Sequence, residues 1–266
     1  MAKLSIAIHK LTSCSGCQLA FLNQGETLFA LLDFIEILHF VEGGIYHSDC
    51  KPDIAFIEGS ISTQEDIERV INVRRNSKLV VSIGACATSG GVQALRNFSE
   101  ITGGNEYMKA HLYTCPEFVK TLDRSEPIAQ VIDVDYELWG CPVSTQQLNQ
   151  FISQIIVGSE PKKEAEKLCM ACKRQQTVCV LVTKQSPCLG PVTRTGCGAL
   201  CPSYGKACYG CYGPSEQPNC RSLSNRLQGL GLIDEAIVNR FAQIHSNAVE
   251  YRDEVVFWSS QCEKDK

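Results

Sequence analysis

Cysteine content is the feature that most limits what this chain can fold into, since the sequence has 16 cysteines in 266 residues. Nine of them lie between Cys169 and Cys220, in a segment rich in Gly, Pro and Tyr that shows little periodic apolar pattern. Such a segment cannot bury enough apolar surface to fold around an ordinary core. Covalent bonds or metal ions must therefore hold it together.

Composition and charge exclude several classes of protein. Hydrophobic residues make up 44% of the chain and charged residues 20%, which excludes a largely disordered protein. The formal net charge of -4 predicts no nucleic-acid partner. The first residues contain neither a long apolar segment nor a twin-arginine pair, and Asp33 and Glu36 interrupt the longest apolar run. We therefore expect a cytoplasmic protein without a membrane span, in which cysteines favour metal ligation over disulfides.

Short β-branched runs alternate with helix-like segments over the first half of the chain. We predict strands at residues 3–8, 34–40, 53–58, 79–83 and 131–134. We predict helices at residues 18–32, 64–75, 90–98 and 145–157. This alternation is typical of an α/β fold, in which helices cover both faces of a mostly parallel sheet.

A charged stretch that contains Pro161, residues 160–167, follows these elements and is predicted to be a linker. The predicted domains are therefore an α/β domain at residues 1–160 and a small, irregular, cysteine-rich domain at residues 161–266. Helical periodicity returns over residues 223–241.

Four cysteines of the first domain follow predicted strands. Cys14 and Cys17 form a C-x2-C pair after the first strand, Cys86 follows the fourth strand, and Cys141 follows the fifth. Because the carboxyl ends of parallel strands meet at one edge of a sheet, these thiols should converge there. Four thiolates can hold either zinc or an iron–sulfur cluster. Glu58 ends a strand at the same edge and is either an interface residue or a solvated loop carboxylate.

Eight cysteines of the second domain divide into two sets of four. The compact set is Cys197, Cys201, Cys208 and Cys211, and the looser set is Cys169, Cys172, Cys179 and Cys188. The run C-x2-C-x2-C-x3-C-P of bacterial ferredoxins is absent. The sets could hold iron–sulfur clusters or structural zinc ions, but three zinc sites would only staple the chain, whereas three clusters in series could conduct electrons.

The motifs resemble the small subunit of a nickel–iron hydrogenase, and the resemblance covers most of the chain. In the first domain it rests on C-x2-C after the first strand, EGSI at residues 58–61, GACATSGG around Cys86 and GCPVS around Cys141. In the second domain it rests on CLGPVTRTGCGALCP at residues 188–202 and C-x2-C-Y-G-P at residues 208–214.

The resemblance implies a flavodoxin-like first domain and three [4Fe-4S] clusters. The proximal cluster would be held by Cys14, Cys17, Cys86 and Cys141. The medial cluster would be held by Cys197, Cys201, Cys208 and Cys211, and the distal cluster by Cys169, Cys172, Cys179 and Cys188. Cys50, Cys115, Cys220 and Cys262 have no place in this scheme. Cys50 is expected to be a loop thiol, and Cys262 to lie in a disordered end.

Two residues depart from the membrane-associated, periplasmic branch of that family. Cys169 stands where that branch has a His in its distal motif, and Cys201 stands where it has a Pro. Four thiols in each set resemble instead the cytoplasmic branch, whose electrons pass to nucleotide, deazaflavin or heterodisulfide partners.

The function implied is electron transfer inside a hydrogenase, an oxidoreductase. A large subunit would hold the nickel–iron centre, and this chain would carry electrons through its clusters to a further acceptor subunit; it supplies no catalytic residue itself. The alternative is a stand-alone iron–sulfur electron carrier or redox sensor without a hydrogenase partner.

Overall fold

The computed structural model describes residues 3–47, 50–99, 103–163 and 166–262. The chain divides into two compact units, Met1–Lys162 and Lys163–Lys266. The linker predicted at residues 160–167 falls partly outside the described residues, because residues 164 and 165 are not among them.

The first unit is built on a five-stranded parallel sheet. Its strands are β1 (Leu4–Lys10), β2 (Ile35–Phe40), β3 (Ile54–Glu58), β4 (Leu79–Ile83) and β5 (Tyr136–Leu138). They lie in the order β2-β1-β3-β4-β5. This order is that of flavodoxin-like sheets, in which the winding reverses between β1 and β3. The predicted α/β fold class is therefore confirmed.

Helices of the first unit cover both faces of the sheet. They are α1 (Gly16–Leu22), α2 (Glu26–Leu32), α3 (Gln64–Asn76), α4 (Gly84–Ser89), α5 (Gly104–Leu112) and α6 (Thr145–Ile156). Phe21 of α1 and Phe151 of α6 pack against Phe56 of β3 on one face. Val70 of α3 packs in a second cluster with Ile57 on the other face. The central strand β3 is buried along its whole length, which explains its continuous apolar sequence IAFIE.

Three predicted elements of this unit differ from the structure. The fifth strand is Tyr136–Leu138 rather than residues 131–134, because the chain forms a 3-10 turn at Ile128–Gln130 and first bonds to β4 through the Asp135 amide. The helix predicted at residues 18–32 is broken between α1 and α2, where Gly25 adopts a φ of 58°. A 3-10 helix, Val92–Asn97, replaces the helix predicted at residues 90–98.

The second unit is built from short helices joined by turns. They are α7 (Leu168–Arg174), α8 (Val180–Thr183), α9 (Leu200–Ser203), α10 (Cys220–Gly229), α11 (Asp234–Phe241) and α12 (Val249–Cys262). The helical periodicity over residues 223–241 thus corresponds to two helices, α10 and α11. They are separated at Gly231, which has a φ of 96°. Among the helices of the described residues, none is both long and apolar enough to cross a bilayer.

Apolar packing in the second unit is divided between two places. Leu168, Val180 and Cys208 belong to a small cluster that includes other cysteines. Phe241 of α11 and Tyr251 of α12 make an edge-to-face contact with ring centroids 5.5 Å apart. The cysteine-rich half of the unit therefore has little apolar core of its own, as its composition predicts.

Removing the cap of α3 should destabilise the first unit. Thr63 Oγ1 accepts a hydrogen bond from the Asp66 amide at 3.1 Å, and Asp66 Oδ2 accepts one from the Thr63 amide at 3.0 Å. We expect Thr63→Ala to lower the free energy of unfolding by about 1 kcal/mol, because an amide at the start of the helix loses its partner. Anaerobic chemical denaturation followed by circular dichroism measures the change. The exposed neighbour Gln64 supplies the control, Gln64→Ala, and equal midpoints for the two variants would contradict the prediction.

Candidate metal centres

The cysteines of the first unit lie at the carboxyl edge of its sheet. Cys14 follows β1, and Cys17 lies in the first turn of α1. Cys86 lies in α4, which begins directly after β4, and Cys141 follows β5. Three separate strand ends thus deliver the four side chains to one edge, as the parallel arrangement requires.

Electrostatic coupling among these four thiols places them in one neighbourhood. Burial raises the pKa of Cys17, and interactions with Cys86 and Cys141 raise it further. Burial raises the pKa of Cys86 to about 11, and Cys141 and Cys14 add to the shift. The pKa of Cys141 is raised by burial and by Cys14. Deprotonation of this group therefore needs a compensating positive charge, which a bound metal centre would supply.

Two glycines leave room for the sulfur atoms. A Cβ atom added to Gly84 would collide with Cys17 Sγ, and one added to Gly91 would lie 2.7 Å from Cys86 Sγ. Both residues also have positive φ angles, 81° and 63°, which L side chains rarely adopt. The backbone is thus shaped around the thiols, and this cradle, together with the four sulfur donors, fits an iron–sulfur cluster.

Glu58 lies behind the same group at the end of β3. Its side chain is 2% exposed, so the alternative of a solvated loop carboxylate is wrong. Its Oε1 accepts a hydrogen bond from the Cys17 amide at 3.0 Å, and its Oε2 accepts one from the Gln18 amide at 3.3 Å. Burial raises the pKa of this carboxyl group, although the two amides oppose the shift. Glu58 therefore fixes the start of α1, which carries Cys17.

Gln93 is a contact of the first group that sequence reasoning missed. Cys86 Sγ donates to Gln93 Oε1 at 3.4 Å, while Gln93 Nε2 donates to the Thr12 carbonyl at 3.1 Å. The amide thereby links the loop after β1 to α4. No spacing in the sequence indicates this residue, because the contact joins segments 81 positions apart.

The looser set of the second unit gathers around Cys169. Burial raises the pKa of Cys169 to about 11, and interactions with Cys188, Cys172 and Cys179 add to the shift. A Cβ atom on Gly190 would lie 3.3 Å from Cys188 Sγ and 3.7 Å from Cys169 Sγ. Cys169 thus lies near the other three thiols of this set.

The compact set lies beside the looser one. Burial raises the pKa of Cys208, with further contributions from Cys188 and Cys211. The pKa of Cys201 is raised by burial and by Cys197 and Cys188. Cys208 and Cys211 therefore form one pair of neighbouring thiols, and Cys197 and Cys201 form another. Each pair also has Cys188 as a neighbour.

Cys188 connects the two sets. Its Sγ accepts a hydrogen bond from the Cys208 amide at 3.2 Å, and Cys208 Sγ accepts one from the Gly210 amide at 3.3 Å. Within the described ranges, no three His, Cys, Asp or Glu side chains form a group that could hold one metal ion. The division of the eight cysteines into two ligand sets remains a prediction.

His245 supports the compact set from a distant segment. It is fully buried, and its Nε2 lies 3.0 Å from the Cys211 carbonyl oxygen. Burial lowers the pKa of His245 to about 4, so the ring is neutral at pH 7. The Nε2 atom must then carry the proton and donate it to the carbonyl. No sequence pattern predicts this contact, since 34 positions separate the two residues.

The cysteines without an expected ligand role lie elsewhere. Cys115 is exposed. Cys220 is buried at the start of α10, where burial raises the pKa of its thiol to about 12. Cys262 is the last residue of α12, so the expectation that it lies in a disordered end is wrong. Cys50 is half-buried, outside the helices and strands.

The amino-acid sequence of this chain matches a known family and several known proteins. Residues 14–155 match the family described as NADH ubiquinone oxidoreductase, 20 Kd subunit. The delta subunit of sulfhydrogenase 2 from Pyrococcus furiosus is 35% identical over 237 residues, which are 89% of this chain and 97% of the relative. An F420-non-reducing hydrogenase subunit from Methanothermobacter marburgensis is 30% identical over 80% of this chain and 79% of its own.

Solved structures of hydrogenases are also similar to this chain. A chain of an NAD+-reducing [NiFe]-hydrogenase in the H2-reduced state has a TM-score of 0.52 and 28% identity, over 61% of this chain and 96% of that one. A chain of the actinobacterial-type NiFe-hydrogenase from Ralstonia eutropha has a TM-score of 0.57 and covers 99% of this chain and 91% of its own. At 14% identity, the second match concerns the fold alone.

Filling the cradle at Gly84 should prevent the four thiols of the first unit from holding an iron–sulfur cluster. We expect Gly84→Ala to lower the iron content by about four atoms per chain, because the new methyl group displaces Cys17 Sγ and strains the backbone. Anaerobic iron analysis measures the loss. Gly229→Ala is the matched control, since a Cβ atom there meets nothing within 4 Å. Full iron content in Gly84→Ala would show that the cradle is not needed.

Proposed function

Because the chain belongs to the family described as NADH ubiquinone oxidoreductase, 20 Kd subunit, and is similar to hydrogenase subunits, we propose that it relays electrons within a [NiFe] hydrogenase complex. The observation that carries the proposal is the convergence of four thiols at one sheet edge, those of Cys14, Cys17, Cys86 and Cys141. Gly84 and Gly91 lack the Cβ atoms that would collide with two of the sulfur atoms. In this chain the residues would bind and position redox groups, while hydrogen is split or formed on the partner subunit.

Three [4Fe-4S] clusters are the proposed cofactors, and each would take up and release one electron at a time. The proximal ligands are Cys14, Cys17, Cys86 and Cys141. The medial ligands are Cys197, Cys201, Cys208 and Cys211. The distal ligands are Cys169, Cys172, Cys179 and Cys188. The proximal assignment is supported by the shared neighbourhood of its thiols, and the other two by the gathering of eight thiols in the second unit.

The protein would set the reduction potentials through its backbone. Amide N–H groups of Cys208 and Gly210 donate to cysteine sulfur atoms, and such hydrogen bonds stabilise the more negative, reduced state. Glu58 acts in the opposite direction near the proximal thiols when it is ionised, because a buried negative charge disfavours added electrons. The amide hydrogen bonds in the second unit would thus raise a reduction potential, whereas ionised Glu58 in the first unit would lower one.

The proposed partners are a large subunit with the nickel–iron centre and a further subunit that accepts electrons. The proposed location is the cytoplasm. A stand-alone electron carrier or redox sensor is the competing function, and it differs in having no nickel-containing partner.

Isolation of the complex tests the proposal directly. We expect affinity purification of this chain under anaerobic conditions to bring down a nickel-containing large subunit, with about twelve iron atoms per copy of this chain. Metal analysis and identification of the copurifying chains provide the measurement. A monomer that carries iron without nickel would instead support the stand-alone carrier, and a colourless protein would support zinc sites.

Replacing one proposed medial ligand should remove one cluster and leave the others. We expect Cys208→Ser to lose about four iron atoms and one of the paramagnetic signals of the reduced protein, since a serine oxygen is a poor substitute for the thiolate. Exposed Cys115, which is outside the proposed ligand sets, provides the control Cys115→Ser. An unchanged iron content in Cys208→Ser would contradict two clusters in the second unit.

A further inference from the structure

The cysteine-rich segment has a charge opposite to that of the whole chain. Residues 168–215 contain five basic residues and no Asp or Glu, although the formal net charge of the protein is -4. The basic residues are Lys173, Arg174, Lys184, Arg194 and Lys206. Arg174 is paired with Glu166 at 2.7 Å. Lys184 and Lys206 are exposed, and neither forms an ion pair with another described residue.

Large apolar side chains are exposed in the same segment. Val178 is 66% exposed, Val182 74%, Leu200 58% and Tyr204 77%. A monomeric surface tolerates single residues of this kind, but a group of exposed apolar residues is typical of a protein interface. We call the surface formed by Val178, Val182, Lys184, Leu200, Tyr204 and Lys206 the exit face.

Two parts of the chain meet to form the exit face. Val178 and Lys184 line a cavity of about 390 Å³ together with Ser203 and Gly205. Lys184 Nζ donates to the Gly205 carbonyl at 3.3 Å, which joins the two parts directly. Among the exposed apolar side chains of the exit face, Val178 lines this cavity, and Tyr204 and Lys206 flank its lining residue Gly205 in sequence.

The exit face lies next to two thiols. Cys179 is exposed and is flanked in sequence by Val178. The Cys201 carbonyl accepts hydrogen bonds from the Tyr204 amide at 3.2 Å and from the Lys206 amide at 2.9 Å. A protein docked here would therefore contact residues that neighbour one thiol of each cysteine set, Cys179 and Cys201.

We propose that the exit face is the docking surface for an acidic electron-accepting protein, with the apolar residues at the centre of the contact and Lys184 and Lys206 at its rim. This proposal rests on the proposed function, because the docked protein would accept the electrons that this chain carries. Charge complementarity selects the partner: a surface with exposed lysines and no carboxylate in residues 168–215 attracts an acidic protein and repels a basic one. The exposed valines, Leu200 and Tyr204 would supply the apolar area that holds it.

A second role for the same lysines makes a different prediction. If the cations only balanced the negative charge of cysteine-ligated clusters, removing one would lower the reduction potential of a neighbouring cluster and leave protein binding unchanged. Docking and charge balance can therefore be separated by measuring binding and potential in the same variant.

The experiment uses this chain purified anaerobically in complex with its large subunit and without the acceptor subunit, which would cover the exit face, and it uses an immobilised acidic bacterial ferredoxin as the probe. We expect Lys184→Glu to slow the association of the complex about tenfold at low salt, because the charge that steers the encounter is reversed. The difference should shrink as the salt concentration rises, since salt screens exposed charges. Arg226→Glu is the matched control: it makes the same change of charge on an exposed residue of α10 in the same unit.

Three further measurements decide the result. Iron content shows that each variant is loaded, and hydrogen-dependent reduction of methyl viologen shows that the complex works without a docked protein. A complex that reduces no viologen would overturn the proposed function. With viologen reduction intact, the docking proposal is contradicted if the wild-type complex does not bind the ferredoxin. It is also contradicted if the Lys184→Glu and Arg226→Glu variants bind the ferredoxin equally. A lowered cluster reduction potential with normal ferredoxin binding contradicts the docking proposal and shows that Lys184 balances the charge of a cluster.

Discussion

Buried sulfur is the constraint on which the rest of this molecule depends. Cys17 and Cys208 are buried and Cys86 and Cys169 are half-buried, and in each case burial disfavours the thiolate form that a metal needs. Folding the empty protein therefore gathers neutral thiols, and only a strongly bound cation can make them ionise together. The structure and its metal content are consequently linked, and the second unit, with little apolar core of its own, depends on this linkage more than the first.

The two units position their cysteine side chains in different ways. In the first unit a parallel sheet fixes the positions of Cys14, Cys86 and Cys141, because each follows the end of a hydrogen-bonded strand. In the second unit short helices and turns present the thiols, and backbone amides of Cys208 and Gly210 hold two sulfur atoms directly. A rigid scaffold thus supports the group that would lie first in the relay, and a sulfur-rich loop structure supports the others.

Short-range sequence patterns predict a large part of this fold. Strands β1 to β4 and the cysteines that follow them are recognisable because alternation of strand and helix and the rule for parallel sheets need only local information. The fifth strand was misplaced because Val131, Ile132 and Val134 are apolar for another reason, namely packing beside Ile128 next to α3. Gln93, His245 and the true environment of Glu58 were missed, since each depends on contacts between distant segments that no spacing in one sequence records.

The hydrogen bond from the Cys208 amide to Cys188 Sγ has a consequence for how such chains can diverge. It brings the two ends of residues 188–208 together, and Cys197 and Cys201 of the compact set lie within that stretch. An inserted or deleted residue that shifts the backbone between positions 188 and 208 would displace Cys197 or Cys201 relative to Cys188 and Cys208. Length variation among related chains should therefore accumulate in the turns near Gly231 and be rare between these two cysteines.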